Sequence, residues 1–549
     1  MLKERRTELL IVLAALLLFV PGLGAVHLFD WDEINFAEIS REMIATGDYI
    51  RPQVNYRPFW EKPPLFMWMQ VVCMKTFGVG EFAARSPNAI CGIVTLLVLF
   101  RIGSRLRDRS FGMLWVLAYI GSILPHLYFR SGIIDPWFNL FIFLSVHALI
   151  LLSWGRKDRP VGWQDAGTLR FAVLTGVFLG LGVLTKGPVA PLIFGLTAGS
   201  YWTLQRFRPL VSIPKVLLSL LVMLAVAFVW SGIDRLVNGS WFLDTFITYQ
   251  IRLFSTPDAG HGGFLGYHFV VLLFGCFPAS LFAIQEMVRP TRSTAEHNDY
   301  RRWMTVLFWV VLILFSIVKT KIVHYSSMCY FPLTYLAAVR LHRIWSEREA
   351  FGWSRFAVGI LGTAMAVAVV AIPFIGMNIE VVKPIIADPF GQANMDADVR
   401  WTGVEAIAGV WLLAALIAGH VLHRKERFRE SLVALFGGTA LFVTITLFFF
   451  INNIEGYSQR AAIDFYEQRQ GEKCYVVPKG HRSYAQLFYT RKQPVTDPRA
   501  FEEPWLLHGD IDRPVYVVCK ITHVGEVDTI PTLTELYRKN GFVFFKRDP

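Results

Sequence analysis

The chain has 549 residues, of which 54% are apolar, 17% are charged and 45 are phenylalanine. This composition excludes an ordinary soluble domain and is typical of a polytopic membrane protein. The formal net charge of +12 does not indicate a nucleic-acid partner, because lysine and arginine lie in short clusters between apolar segments, a distribution that sets membrane topology.

Apolar segments near the length of about 20 residues that crosses a bilayer recur along the chain, beginning after the basic N terminus. Because many more follow, we interpret the first as a retained helix rather than a signal peptide. If each basic cluster marks a cytoplasmic loop, neighbouring clusters must enclose an even number of spans. About thirteen transmembrane helices satisfy this condition, at residues 9–28, 82–100, 111–129, 133–153, 170–186, 188–205, 212–232, 267–288, 303–319, 323–342, 356–376, 402–420 and 432–451.

These spans leave longer segments on the non-cytoplasmic side of the membrane. Within the first of them, residues 63–77 are apolar but short, which favours a helix lying along the membrane surface. We therefore expect a mostly α-helical membrane domain, residues 1–451, and a soluble domain, residues 452–549. The non-cytoplasmic segments are 29–81, 233–266, 377–401 and 452–549.

The polar segment 452–549 predicts a small extracytoplasmic α/β domain. Its stretches "KCYVVP" (473–478) and "VYVVCK" (515–520) are typical of buried strands, and "TLTELYRKNG" (532–541) predicts a helix ended by its glycine. Cys474 and Cys519 lie in the two strands. They either form a disulfide in an oxidising compartment or remain two buried thiols.

Ionisable residues from five separate segments fall on the non-cytoplasmic side. Taken singly, each is explained as a helix cap, a helix-end residue or a solvated surface residue. Together they bring both signs of charge to one membrane surface, where cations suit a lipid phosphate and a carboxylate suits proton abstraction from a hydroxyl. They are Asp30, Asp32, Glu33, Glu38, Arg41, Glu61, Lys62, Arg130, Asp135, Lys186, Arg252, Asp258, His261, Lys319, Lys321, His324 and Tyr325.

This combination predicts displacement at a carbon that bears a lipid-linked phosphate. Because a phosphodiester is a good leaving group, the reaction needs a base and charge neutralisation. Glycoside hydrolysis differs, since it needs a carboxylic acid kept protonated for a poor leaving group.

Five motifs in register carry a resemblance to a known family. They are "WDEINFAEISREMIATGDYIRP" (31–52), "FWEKPPL" (59–65), "IIDPWFN" (133–139), "GVLTKGP" (182–188) and "VKTKIVHY" (318–325). Over about residues 5–345 the chain resembles the GT-C membrane glycosyltransferases that use polyprenyl-phosphate sugars, in the branch of the lipid A aminoarabinose transferases and, more distantly, the protein O-mannosyltransferases.

The resemblance implies a GT-C fold and roles for individual residues. The implied catalytic residues are Asp32 as the base, Glu33 as its supporting neighbour, and Asp135 as a second acid near the acceptor. The implied contacts to the donor phosphate are Lys62, Arg252, Tyr325, Lys186 and Lys321. Glu61 and His261 match positions near a divalent metal ion, although the reaction itself requires no cofactor.

Within the acidic first motif, the resemblance leaves Asp30 and Glu38 as surface or capping residues. One position departs from the family. Aminoarabinose transferases carry arginine three residues after the catalytic aspartate, where this chain has Asn35. An amide cannot replace the bidentate contact of a guanidinium, so this position limits the identity of the sugar.

The predicted function is inverting sugar transfer from a polyprenyl-phosphate donor to a hydroxyl or phosphate of an envelope acceptor, such as lipid A or a glycolipid. The enzyme is expected in the bacterial inner membrane, with its active site and C terminus on the periplasmic side. Protein O-glycosylation by the same class is the alternative. A transporter would carry ionisable residues near the membrane midplane, and a non-catalytic scaffold does not account for the converging charges.

Overall fold

The computed structural model describes residues 2–155, 167–239, 242, 244–246, 248, 252, 262–290 and 294–549. Long helices dominate it. Eight of them are long and apolar enough to cross a membrane within the described residues, or nine when one bent pair is counted as a single span. The eight are Glu81–Leu106, Asp135–Trp154, Leu169–Lys186, Ile213–Asn238, Ala295–Ile317, Ser354–Met377, Val404–Arg424 and Phe428–Gly456.

Each of the thirteen predicted spans overlaps a helical segment, and those outside the eight are short, interrupted or, in the first helix, charged over the first two turns. The bent pair, Tyr267–Gly275 and Ala279–Val288, turns by 115° at a break that contains Pro278. Proline lacks the backbone N–H that would continue the first helix. The other segments are Leu2–Phe19, Arg109–Ile120 with Ile123–Tyr128, Val189–Leu204, and Tyr330–Ser346 behind the 3-10 turn Val323–Cys329.

Close packing between the membrane helices depends on small residues at the crossing points. At Gly103 an added Cβ would lie 2.7 Å from the Cα of Gly112, on the neighbouring helix Arg109–Ile120. Without side chains at both positions the two backbones approach directly, a common arrangement in membrane proteins.

The first loop folds into two helices and a two-stranded hairpin. Helix Asp32–Thr46 buries one face of Phe36, Ile39 and Met43 against helix Leu65–Phe77. It ends at Gly47, whose φ of 73° gives the left-handed cap that glycine favours. Strands β1 (Gln53–Val54) and β2 (Arg57–Pro58) form the hairpin between the two helices.

The C-terminal segment forms the predicted small domain around a four-stranded sheet. Its strands are β3 (Tyr475–Lys479), β4 (Val515–Lys520), β5 (Thr534–Lys539) and β6 (Phe542–Arg547), in the order β3-β4-β6-β5. Strands β3 and β4 are parallel and the other pairs are antiparallel. Short helices flank the sheet, at Arg460–Glu467, Ala485–Tyr489 and Glu503–His508.

The two predicted strands of this domain are confirmed, but the predicted helix at 532–541 is wrong. That segment is strand β5, and Asn540 and Gly541 turn the chain into β6 with φ values of 49° and 75°. Two successive positive φ angles are the signature of a type I′ hairpin turn, which Asn-Gly favours. Gly541, predicted to end a helix, is therefore a hairpin residue.

The structure also excludes a disulfide between Cys474 and Cys519, and both thiols are free. Cys519 is the register partner of Lys479, at the end of β3 opposite to Cys474. At about 3.3 Å per residue the two cysteines lie about 16 Å apart, well beyond the reach of a disulfide.

The C-terminal domain packs on the first loop rather than standing apart from it. One apolar cluster joins Leu28 and Ile34 of the first loop to Phe465 and Phe488 of the domain. The backbone N–H of Leu28 donates to the hydroxyl of Tyr489 at 2.7 Å. The two regions are therefore buried against each other.

Candidate active site

A cavity of about 1500 Å³ lies where the first loop, the membrane helices and the C-terminal domain meet. One part of its wall is polar and carries most of the residues selected from the sequence. Another part is apolar and comes from the membrane helices and their ends: Val189, Leu192, Ile193, Leu314, Phe315, Val318, Leu447 and Ile451. A ligand with a charged head group and an apolar tail would contact the polar part of the wall with its head group and the apolar part with its tail.

Asp32 lies on this wall as the first residue of helix Asp32–Thr46. Its side chain is 31% exposed, and its Oδ2 lies 3.6 Å from Nε2 of His324. That distance exceeds an ordinary hydrogen bond, so the carboxylate keeps access to the cavity. The first residue of a helix is also where a negative charge is favoured.

The adjacent Glu33 has a different environment. Its two oxygens accept four hydrogen bonds, from Nε and Nη2 of Arg85 at 3.1 and 2.8 Å and from the backbone N–H groups of Phe29 and Gly132. Burial alone would raise the pKa of this carboxyl, but the Arg85 charge and these hydrogen bonds hold the pKa below its usual range. Glu33 therefore fixes the first loop to helix Glu81–Leu106 and to the turn before helix Asp135–Trp154.

Lys62 lines the cavity beside Glu61. Burial lowers the pKa of the Lys62 ammonium, while the charges of Glu61 and Asp32 oppose that shift. A bound phosphate would add negative charge and favour the protonated form further.

Asp135 and Lys186 form an ion pair in the same wall. Asp135 is the first residue of helix Asp135–Trp154, and Lys186 is the last of helix Leu169–Lys186. Nζ of Lys186 lies 2.7 Å from Oδ1 of Asp135 and 5.5 Å from the ring centre of Tyr325. The sequence suggested separate roles for the acid and the lysine, whereas the structure makes them partners.

The structure brings together eight of the ten predicted site residues. Lining the cavity are Asp32, Glu33, Glu61, Lys62, Asp135, Lys186, Arg252 and Tyr325. His261 and the neighbouring Asp258 lie outside the described residues.

Lys321 has a different position from the predicted one. It is buried, is not among the residues that line the cavity, and its ammonium donates to the backbone carbonyls of Phe315, Ser316 and Val318 at 3.1, 2.6 and 2.6 Å. The last carbonyls of a helix lack intrahelical partners, and a cation there satisfies them. Lys321 thus caps helix Ala295–Ile317, which corrects the prediction of a phosphate contact.

Glu38 was expected at the surface or in a cap, but its side chain is fully buried. Both of its oxygens accept from Arg41 at 2.7 Å, in a bidentate ion pair beneath the first-loop helix. Asn35 is also buried on this helix, and its Oδ1 accepts no hydrogen bond from the described residues.

Arg482 is a cavity residue that the sequence did not reveal. It belongs to the C-terminal domain and places its guanidinium 5.1 Å from the ring centre of Trp31. The next residue, Ser483, donates from Oγ to Oδ2 of Asp30 at 2.5 Å, and the ring of Tyr484 lies 5.0 Å from that of Trp31. The sequence feature that could have indicated Arg482 is its position in a loop directly after a predicted strand, because functional residues concentrate in loops.

Comparison with known proteins gives one matching family model and several curated relatives. The model, described as dolichyl-phosphate-mannose-protein mannosyltransferase, matches residues 61–231. The undecaprenyl phosphate-alpha-4-amino-4-deoxy-L-arabinose arabinosyl transferase of Edwardsiella ictaluri is 28% identical over 79% of this chain and 76% of its own. The protein of the same description from Pseudomonas paraeruginosa is 27% identical over 99% and 98%.

Two solved structures share the architecture. ArnT from Cupriavidus metallidurans bound to undecaprenyl phosphate matches with a TM-score of 0.78 and 21% identity, over 98% of this chain and 97% of its own. The archaeal oligosaccharyltransferase AglB from Archaeoglobus fulgidus, in complex with an inhibitory peptide and a dolichol-phosphate, matches with a TM-score of 0.51 and 11% identity, over 95% and 70%.

The structural matches show the fold, and the curated relatives extend over most or nearly all of the chain. Both agree with the resemblance carried by the five motifs. The chain is a multi-pass membrane glycosyltransferase of the GT-C class.

Proposed function

We propose that the protein transfers a sugar from a polyprenyl-phosphate donor to a hydroxyl or phosphate of an envelope acceptor such as lipid A. The transfer would take place on the periplasmic face of a bacterial inner membrane. One observation carries this proposal: a single cavity joins an accessible carboxylate and several cations to an apolar wall built from membrane helices. The names of the curated relatives, which specify an undecaprenyl phosphate-linked donor, support it.

The donor phosphate binds at the cationic part of the wall. Lys62, Arg252 and Tyr325 supply its contacts, and Lys186 reaches the same region from its pair with Asp135. The polyprenyl chain then follows the apolar wall toward the bilayer. Since charged hydrogen bonds to phosphate are stronger than neutral ones, these residues hold the head group while the chain supplies apolar contact.

Asp32 acts as the general base in a single displacement. It takes the proton of the acceptor hydroxyl, whose oxygen attacks the anomeric carbon as the bond from that carbon to the phosphate oxygen breaks. The electron pair leaves with the phosphate, where Lys62 and Arg252 compensate the developing charge. Attack on the face opposite to the leaving group inverts the configuration at the anomeric carbon. The imidazole of His324 lies beside this base, 3.6 Å from the Asp32 carboxylate.

The family also implies a divalent ion near Glu61. Glu61 lines the cavity, whereas the second implied ligand, His261, lies outside the described residues. The described residues thus supply one oxygen ligand of that set. The displacement needs no metal, because phosphate is a good leaving group whose charge the lysine and arginine can balance.

Asn35 bears on the sugar. The family arginine at this position would supply a bidentate contact, while Asn35 is buried in the first-loop helix and is not among the residues that line the cavity. The proposal therefore covers a pentose or hexose donor without specifying aminoarabinose.

The test combines a defined reaction with an untargeted search for the acceptor. Purified protein in proteoliposomes is given a labelled polyprenyl-phosphate sugar and extracted envelope lipids, and transfer is compared with the Asp32→Asn variant. Mass spectrometry of lipid A and envelope proteins from a deletion strain then identifies the molecule that loses a sugar. Loss from lipid A or a glycolipid supports the proposal.

Protein O-glycosylation is the second candidate, because the matching family model is that of a protein mannosyltransferase. Loss of sugar from glycopeptides alone would favour it. An unchanged envelope together with no transfer in proteoliposomes would contradict both candidates.

A further inference from the structure

A second group of ligand-type side chains lies away from the cavity, where three segments meet. His27 precedes the first-loop helix, Glu81 is the first residue of helix Glu81–Leu106, and Glu467 is the last residue of helix Arg460–Glu467. Each offers one ligand atom, and the three atoms lie within 4.8 Å of one another. None of the three is among the residues that line the cavity.

The imidazole of His27 is held in one orientation by a buried neighbour. Its Nδ1 lies 3.0 Å from Oε1 of Glu455, whose side chain is fully buried and whose Oε2 accepts from Nε of Arg460 at 2.6 Å. A histidine that donates from Nδ1 to a carboxylate presents the lone pair of Nε2. This carboxylate–histidine arrangement is the usual way in which proteins orient a metal-binding imidazole.

The two carboxylates lie on the Nε2 side of this ring. Oε1 of Glu467 is 3.8 Å from Nε2, too far for a hydrogen bond. Glu81 lies near the hydroxyl of Tyr489, which accepts the backbone N–H of Leu28 at 2.7 Å. His27 therefore has an outer partner that fixes it, and Glu81 has a polar neighbour.

We propose that His27, Glu81 and Glu467 bind one divalent transition-metal ion, with Zn²⁺ as the best match. A nitrogen and two carboxylate oxygens suit zinc, whereas calcium and magnesium prefer oxygen ligands alone. Zinc bonds of about 2.0 to 2.2 Å place neighbouring ligand atoms about 3.3 to 3.6 Å apart. A rotation of Glu467, whose side chain is 44% exposed, closes the remaining gap and leaves the fourth position to water.

The ion would join the two parts of the molecule that form the cavity. His27 and Glu81 belong to the first loop and the membrane helix behind it, and Glu467 belongs to the C-terminal domain. The same domain carries Arg482 into the cavity. A metal at this junction is thus a structural link, distinct from the catalytic chemistry.

Metal content and thermal stability of the full chain in detergent test the proposal. Protein stripped with EDTA is titrated with Zn²⁺, and bound zinc is measured by mass spectrometry beside the apparent melting temperature. We expect one equivalent of zinc to be lost in His27→Gln and in Glu467→Gln, and the zinc-dependent rise of several degrees in melting temperature to disappear. If His27→Gln does not fold, Glu467→Gln still tests the site. The Glu467 side chain is 44% exposed, so its substitution should not unfold the protein.

Two control variants distinguish zinc binding at this site from a general loss of charge and from an ion bound in the cavity. Asp464→Asn removes a charge from the same helix, but Asp464 pairs with Lys539 at 3.0 Å, so this variant should keep the zinc equivalent. Glu61→Gln would lose an ion bound in the cavity, but it should keep the zinc equivalent bound by His27, Glu81 and Glu467. Equal zinc content in wild type, His27→Gln and Glu467→Gln would overturn the proposal. His27 would then be an imidazolium that bridges Glu455 and Glu467.

Discussion

Asp32 and Glu33 are neighbours in the sequence but belong to regions with opposite properties. The region around Glu33 is saturated, because both oxygens of this residue are occupied by Arg85 and two backbone N–H groups. The region around Asp32 is open, since the imidazole of His324 stands 3.6 Å from its carboxylate beside the cavity. The number of fixed hydrogen bonds thus separates the carboxylate that holds the loop from the one available for reaction.

The same contrast extends to other charges of the first loop. Glu38 and Arg41 are buried in a bidentate pair, whereas Lys62 and Glu61 line the cavity. Breaking a buried ion pair leaves an uncompensated charge and costs about 3–5 kcal/mol. Substituting a charge whose hydrogen bonds are all formed inside the protein should therefore affect folding. Substituting a charge that faces the cavity should affect turnover.

The largest expected effect is on turnover in the open region. Asp32→Asn should lower the rate of sugar transfer by about 1000-fold, because a positioned general base contributes about 100- to 10,000-fold. Donor binding and melting temperature should stay near those of the wild type. The measurement is single-turnover transfer from a labelled donor, with donor affinity measured separately. A loss of less than about tenfold would show that Asp32 does not act as a base.

The corresponding change in the saturated region should act on stability. Glu33→Gln leaves the Arg85 guanidinium without its counter-charge, so the free energy of unfolding should fall by about 3–5 kcal/mol. Denaturant unfolding in detergent measures this loss. The double variant Glu33→Met/Arg85→Met removes both charges and should recover part of it. If Glu33→Gln were as stable as the wild type yet inactive, Glu33 would belong to the reacting groups.

Two lysines give a smaller and more specific comparison. Lys62→Met should raise the KM for the donor by about 10- to 100-fold, because a hydrogen bond to a charged group contributes about 1.5–3 kcal/mol. Lys321→Met should instead lower the melting temperature and leave KM unchanged, since Lys321 caps a helix. The two variants are compared by steady-state kinetics and thermal unfolding. An equal rise in KM for both variants would show that Lys321 also contacts the donor phosphate.

The most gradual expected effect is a pH dependence of stability at Glu42, in the first-loop helix. Burial and the neighbouring Glu38 raise the pKa of Glu42 to about 9, so the folded state keeps a proton that the unfolded chain loses near its ordinary value. The folded state binds more protons between these two values. The contribution of Glu42 to stability therefore falls as pH rises from about 4 to about 9, by at most about 1.4 kcal/mol per pH unit.

Glu42→Gln removes this titration without removing the side chain. Between pH 6 and pH 9 the melting temperature of the wild type should fall relative to that of Glu42→Gln. The exposed Glu526→Gln serves as the control, and its melting curve should run parallel to that of the wild type. Parallel curves for wild type and Glu42→Gln would contradict a neutral Glu42.

Apolar segments and basic clusters were enough to predict the helical membrane domain, and the ordered motifs contain most of the ionisable residues that line the cavity. They could not predict pairing, because Asp135 and Lys186 meet only through the packing of two helices. The capping role of Lys321 was hidden for the same reason, since the sequence shows a cation but not the carbonyls that it reaches. Arg482 enters the cavity from a domain more than 400 residues after Asp32, a relation that charge clusters and hydropathy do not encode.

The contacts of Leu28 have a consequence for the order in which the enzyme is made. Four residues before Asp32, its N–H is bound by Tyr489 and its carbonyl by Gln459 at 2.6 Å, both from the C-terminal part of the chain. During synthesis the first loop emerges long before those partners exist. A nascent or truncated chain thus carries every membrane motif but lacks the contacts that hold Leu28, and with it the segment that leads to Asp32, in place. Catalytic competence is acquired only after the last segment has been made and has folded onto the first.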